Sequence, residues 1–269
     1  MEINEKYESL IKYLKGLNKA VLAFSGGVDS TFLLHAAKEA LGDDLIAVTI
    51  ISPYIPKWEV EEARETSKTI GVKHVFIEAK IIDEIRNNPE DRCYLCKKAV
   101  FGEILKFASD QGIKYVMDGT NIDDMSDYRP GLKALSELNV VSPLKENEFS
   151  KSDIRELSKT AGLYTWDKPA YACLLTRIPY NTPLREEDFG KIEEAEKFMM
   201  DLGFKAVRVR CHDDLARIEI PQNERHKIFD EALLDKISKG IKNAGFKYVS
   251  LDLEGYKMGS FNQDVNKGE

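Results

Sequence analysis

At 269 residues the chain exceeds the usual length of one domain, and 43% hydrophobic with 32% charged residues is a globular mixture far from the signature of disorder. No apolar run approaches the roughly 18 residues that span a bilayer, and the opening MEINEKYESLIKYLKGLNK reads as an amphipathic charged helix rather than a signal peptide, so a cytoplasmic protein with no membrane partner is expected. The formal net charge of -7 argues against nucleic acid as a partner through surface charge, and four cysteines are too few for a disulfide scaffold.

Helical spacing of Tyr7, Leu10, Ile11 and Leu14 gives a first helix, and KAVLAF then reads as a buried strand ending at Ser25. STFLLHAAKEAL predicts a helix closed by Gly42, LIAVTIIS a second strand, KWEVEEARETSKTIG a helix and KHVFIEA a third strand. KKAVFGEILKFASDQG follows as helix, YVMDGT as strand, VVSPL as a short strand and SKSDIRELSKTAG as a helix. Uninterrupted apolar strands alternating with helices predict an α/β fold, a doubly wound parallel sheet with ligands at the carboxyl ends of its strands, over residues 1–165. Residues 166–183 form a motif-bearing bridge. From 184 to 269 the order helix, strand, strand, helix, strand predicts a smaller α+β domain with an antiparallel sheet and a C-terminal extension.

The stretch VLAFSGGVDSTFLL, residues 21–34, joins the first strand to the second helix. Such a junction offers free backbone N–H groups and the positive end of the helix dipole, and Gly26 and Gly27 allow a phosphate close to the backbone. Ser25, Ser30 and Thr31 add hydroxyl donors. Asp29 is a poor neighbour for phosphate without an intervening cation and is assigned to Mg²⁺. A capped strand-to-helix turn is the structural alternative, and the missing G-K-[ST] ending excludes a Walker A loop.

SGGVDS after a buried strand resembles the PP-loop family of ATP pyrophosphatases, which transfer AMP from ATP to a carbonyl or carboxyl oxygen. The resemblance continues through YVMDGTNIDD, with Gly119, Asn121 and Asp124 as nucleotide contacts, and through SPLKENEFSKSDIRELSKTAGL, where it implies that Lys151 contacts the phosphates. Asp118, Asn121, Asp123 and Asp124 could equally cap a loop, and Lys151 could be an exposed lysine at a helix start.

Over nearly the whole chain, through DYRPGLKA, KPAYACLLTRIPYNTP, GFKAVRVRCHDDLARIEIP and GFKYVSLDLEGY, the sequence resembles the LarE sulfur transferases. That resemblance implies a homo-oligomer that adenylates the carboxylates of pyridinium-3,5-biscarboxylic acid mononucleotide with MgATP and displaces AMP with a sulfur nucleophile. The ultimate sulfide donor is not legible. In VRVRCH, strand alternation puts Arg208 and Arg210 on one face, suited to an anionic mononucleotide or else simply solvated, and Cys211 on the apolar face as a core residue. Arg177, in the bridge, joins them as a substrate-phosphate candidate. Glu196, bracketed by Ile192 and Met199, and Glu219 are expected as acidic residues of a divalent-metal or substrate site, with an arginine salt bridge as the alternative.

Sulfur chemistry centres on Cys93 and Cys96 in DRCYLCKK and on Cys173, because the cysteine that gives up its own sulfur in the sacrificial LarE form falls on Ala172 here. Three cysteines are one thiolate short of a full set. By resemblance to cluster-dependent LarE enzymes they would hold a [4Fe–4S] cluster with one open iron; a persulfide-bearing C-x-x-C, a zinc site and core cysteines are the other readings. Within the superfamily, tRNA thiolases and ATP-dependent amidating enzymes are the enzymatic alternatives, and a nucleotide-binding regulator is the non-enzymatic one.

Overall fold

The computed structural model describes residues 2–126, 130–169 and 171–256. The chain forms two compact units, Met1–Ile82 with Asp91–Ala170, and Asp83–Glu90 with Tyr171–Glu269. A short piece from the first third of the chain, Asp83–Glu90, thus belongs to the second unit.

In the first unit the elements run α1 (Ile3–Gly16), β1 (Ala20–Ala23), α2 (Val28–Leu41), β2 (Leu45–Ile51), α3 (Lys57–Ile70), β3 (Lys73–Glu78), α4 (Arg92–Asp110), β4 (Tyr115–Met117), α5 (Pro130–Glu137), α6 (Pro143–Glu146) and α7 (Lys151–Thr160). The four strands are parallel in the order β3-β2-β1-β4. β2 is buried along nearly its whole length, as a strand covered on both faces must be. On one side Leu10, Leu14, Leu22, Phe32, Leu33 and Ile154 pack together; on the other, Val21, Ile46, Val48, Phe101, Ile104 and Val116 do. Chain order reverses at β1, with β2 on one side and β4 on the other, and at such a switch point the loop leaving the strand's carboxyl end is open to a ligand.

The short strand expected at VVSPL is reduced to one parallel bridge between Val141 and Met117. Pro143 lacks the N–H that a ladder needs and instead opens the one-turn helix α6.

The second unit contains α8 (Glu186–Asp201), β5 (Arg208–His212), β6 (Leu215–Glu219), α9 (Glu231–Asn243) and β7 (Tyr248–Leu251). β5 and β6 are antiparallel, but β7 runs parallel to β6, so this sheet is mixed rather than antiparallel throughout. The helix α9 between β6 and β7 supplies the crossover that a parallel pair requires. Of the C-terminal extension, residues 257–269 lie outside the described residues, as do 127–129 of the DYRPGLKA segment. Among the described residues no helix is long and apolar enough to cross a membrane.

Candidate phosphate loop and cysteine segments

The loop after β1 is shaped by close packing. Gly26 has φ +70°, and a Cβ there would lie 3.1 Å from the Cβ of Ala63, so glycine meets both demands at once. Gly119, following β4, passes so near the start of α2 that a Cβ would come within 3.0 Å of the Ser30 nitrogen. Gly27 is the N-cap of α2 and has no side chain to satisfy the helix's first N–H groups. The Ser25 and Ser30 hydroxyls stand 3.1 Å apart beside it, and Ser30 donates to the Gly27 carbonyl. Thr31 is placed differently from expectation: it is buried and lines a cavity of about 50 Å³ with Thr66, Thr69, Ile70, Gly162, Leu163 and Tyr164.

Asp29, in the first turn of α2, forms an ion pair with Lys151, the first residue of α7. Sequence distance hides this pair; the fold brings its halves together because α7 begins beside α2. The box at the start of α7, in which Ser150 and Asp153 cap each other, fixes the direction of Lys151, whose own N–H donates to Asp123 Oδ2 at 2.7 Å. Burial pushes the Asp29 carboxyl above the usual carboxylate range, more than the lysine pulls it down, and Oδ1 is buried without a hydrogen-bond partner. A carboxylate oxygen orphaned beside an anion-binding loop fits a divalent cation, so the donor set agrees with Mg²⁺.

The polar cluster after β4 braces its own turn and ties it to the starts of α6 and α7. Asn121 Oδ1 accepts from the Asp123 and Asp124 N–H groups, and Asp124 Oδ2 accepts from Asn121 N–H at 3.1 Å. Asp118 is buried and accepts from the hydroxyls of Thr120 and Ser142. These bonds hold the turn against which Gly119 and α2 pack.

Two residues went unnoticed in the sequence reading. Lys168 donates to the Gly26 carbonyl at 3.1 Å and to Glu62 Oε2 at 2.5 Å, and Arg155 pins the same segment by donating to the carbonyls of Trp166 and Lys168. The basic residue in KPAYAC was the available signal, yet nothing local says that it reaches back to the loop.

Cys93 lies in the first turn of α4 and Cys96 at the start of the second, in a helix that begins five residues earlier than its periodicity suggests. Spacing of i, i+3 puts both thiols on one helix face, near the positive end of the dipole, which favours thiolates. Cys93 is exposed, whereas Cys96 is half-buried with its sulfur 3.2 Å from the Tyr54 hydroxyl. Burial pushes the Cys96 thiol up and the tyrosine bond opposes that.

In the second unit, Cys173 precedes a single 3-10 turn, Leu174–Arg177, and its carbonyl accepts from Thr176. Arg177 is 1% exposed, donates through Nε and Nη2 to both oxygens of Glu196 at 2.8 and 2.9 Å, and through Nη1 to the carbonyls of Ala172 and Cys173. A guanidinium so occupied holds the backbone of the cysteine segment; the expectation of Arg177 as a phosphate ligand gives way to this positioning geometry.

Glu196 also accepts from Val209 N–H, and Glu219 accepts from Arg210 and Arg217. Both glutamates thus make the arginine pairing that stood as the alternative to a divalent-metal site. Arg208 and Arg210 are buried, not on a solvated face, because β5 is covered on both sides. Burial, then the neighbouring Arg177, work against the charge of Arg208, which lies 4.9 Å from the ring of Tyr256. Cys211 is a core residue whose thiol burial pushes up to about 11.

Residues 19–90 match the family of queuosine biosynthesis protein QueC. The chain is 38% identical over 270 residues to an uncharacterised protein of Synechocystis, covering 98% of this chain and all of that one (100%). It is 37% identical over 268 residues to the pyridinium-3,5-bisthiocarboxylic acid mononucleotide synthase of Lactiplantibacillus plantarum, covering 98% of this chain and 96% of that protein. A component of the glutamine-hydrolysing GMP synthase of Archaeoglobus fulgidus is 28% identical over 185 residues, 61% of this chain and 58% of its own. A PP loop at the switch point of a parallel sheet, joined to near-full-length identity with a thiocarboxylate-forming synthase, places the chain in the LarE family of ATP-dependent sulfurtransferases.

Proposed function

We propose that the protein converts the carboxylates of pyridinium-3,5-biscarboxylic acid mononucleotide to thiocarboxylates, activating each with MgATP at the SGGVDS loop. The observation that supports this reading most directly is the Asp29–Lys151 pair beside the uncapped start of α2, with one carboxylate oxygen left orphaned. A cation suited to phosphate and an anion suited to a metal then stand beside backbone N–H groups open to an anion.

A substrate carboxylate oxygen attacks the α-phosphorus of ATP; the bond to the bridging oxygen breaks, and pyrophosphate leaves with the electron pair. The loop N–H groups and Lys151 stabilise that leaving charge, which is why no Walker lysine is required. Mg²⁺, when bound, is held by Asp29 and neutralises phosphate charge. A sulfur nucleophile then adds to the acyl carbon and AMP departs, a far better leaving group than the oxygen of a free carboxylate. Arg208 is assigned to the mononucleotide phosphate, and Arg210, the second candidate, would have to release Glu219 to join it.

Cys93, Cys96 and Cys173 are assigned to the sulfur half. They would hold a [4Fe–4S] cluster, which supplies an open iron for a terminal sulfide. The chain's own contribution is to present the thiols: the start of α4 for two of them, and the Arg177-held turn for the third.

Anaerobic incubation of the purified chain with MgATP and sulfide, together with the pyridinium mononucleotide or separately with tRNA or ammonia, tests the reading. Pyrophosphate release and an oxygen-to-sulfur mass change only in the pyridinium arm are expected. Thiolation of tRNA alone overturns the substrate assignment, amide formation overturns the sulfur assignment, and full activity in iron-free protein overturns the cluster.

A further inference from the structure

Lys168 is placed as a second lysine of the phosphate loop. Its ammonium lies within hydrogen-bond distance of the Gly26 carbonyl, so it reaches the same loop whose N–H groups receive an anion. Its side chain is 12% exposed and its acidic partner Glu62 is 43% exposed, so the carboxylate meets solvent while the ammonium sits against the loop. The backbone of Lys168 is held separately, by Arg155 donating to its carbonyl at 2.8 Å. Backbone position and ammonium direction are thus set by different partners, and the ammonium can be redirected without moving the segment. Lysine suits this use: it is a point charge with three rotatable donors on a flexible stem, and exchanges one anion for another more readily than a forked guanidinium.

The carboxylate end of the pair meets solvent and is screened there, so a polyphosphate carrying several charges outcompetes it for the ammonium. We propose that Lys168 is a polyphosphate ligand, held by Glu62 in the ligand-free chain and transferred to the pyrophosphate portion of bound ATP. The inference rests on the loop being the ATP site.

Calorimetric titration of the full chain with inorganic pyrophosphate in the presence of Mg²⁺, and with AMP as the control ligand, tests it. Lys168→Ala is expected to weaken pyrophosphate binding about 10-fold or more, Lys168→Arg to restore most of it, and Glu62→Gln to tighten it about threefold, with AMP affinity unmoved throughout. Both Lys168→Ala and Glu62→Gln break the same pair, so a merely bracing role moves both in one direction and overturns the proposal. The double variant separates contact from general field: if Glu62 acts through Lys168, the gain from Glu62→Gln vanishes in the Lys168→Ala background, whereas additive changes overturn the proposal. Unchanged pyrophosphate affinity in Lys168→Ala overturns this inference alone. A native chain that binds neither pyrophosphate nor ATP overturns the loop reading and this inference with it.

Discussion

Charge is used in opposite ways in the two units. At the phosphate loop, Lys151–Asp29 and Lys168–Glu62 are lysine pairs with side chains 36%/22% and 12%/43% exposed. In the second unit, Arg177–Glu196 and Arg210–Glu219 are arginine pairs at 1%/5% and 6%/2%. A partly exposed lysine pair is worth little and can be exchanged for a ligand, whereas a buried forked guanidinium is costly to break and fixes the backbone around it. On the proposed reading, the first region is the one a polyanion can rearrange and the second is the one that keeps its shape.

The sharpest separation of the two regions comes from Cys173→Ala. Thiocarboxylate formation is expected to be lost entirely, while pyrophosphate release persists with the pyridinium mononucleotide, because the activating groups all lie in the first unit. Loss of both activities in this variant would show that the halves of the reaction are not divided as assigned.

Next in size is Glu196→Ala. Removing it leaves Arg177 buried beside an empty place and the Val209 N–H without its acceptor, at an expected cost of about 3–5 kcal/mol in urea unfolding. Asp201→Ala, which breaks the exposed pair with Lys197 on the same helix, is expected to cost under about 1 kcal/mol. Equal costs for the two variants would contradict the division between fixed and exchangeable charge.

Asp29→Asn is expected to lower the rate of pyrophosphate release by roughly 100-fold or more, the size of effect seen when a preorganised electrostatic group is removed. Its melting temperature should scarcely move, since the burial penalty of the carboxylate and its attraction to Lys151 oppose each other. A large loss of stability with unchanged turnover would make the pair a structural feature only.

An effect confined to acid pH belongs to His74, held between the hydroxyls of Thr49 and Ser67, each at 2.7 Å. Burial, assisted by Arg64, lowers its pKa from 6.5 to about 4. The unfolded chain therefore takes up a proton that the folded chain refuses, so this contribution to stability is complete above about pH 6.5 and is lost as pH falls toward 4. His74→Gln should flatten that part of the stability profile; an unchanged slope would place the acid sensitivity elsewhere.

Much of this was legible because it is local. The unbroken apolar run LIAVTII becomes β2 as periodicity requires, and SGGVDS becomes the turn into α2 because two glycines between a strand and a helix leave few other conformations. The cysteine spacing was readable too, although the helix carrying it begins earlier than expected. The strand at VVSPL failed because Pro143 starts a helical turn once the sheet has been left, and the parallel β7 failed because pairing direction depends on how α9 crosses.

The sequence by itself determined the fold class, the phosphate loop and the family, since hydrophobic period, glycine placement and motif spacing are properties of neighbouring residues. Only the tertiary structure decided which charges meet. Lys151 and Asp29 are 122 positions apart, Lys168 and Glu62 106, and Lys168 and Gly26 142. The alternation of VRVRCH likewise showed a face of arginines but not that the face is buried. An electrostatic partner is chosen by distance and solvent exclusion, and both are set by the packing of elements that are remote in the chain.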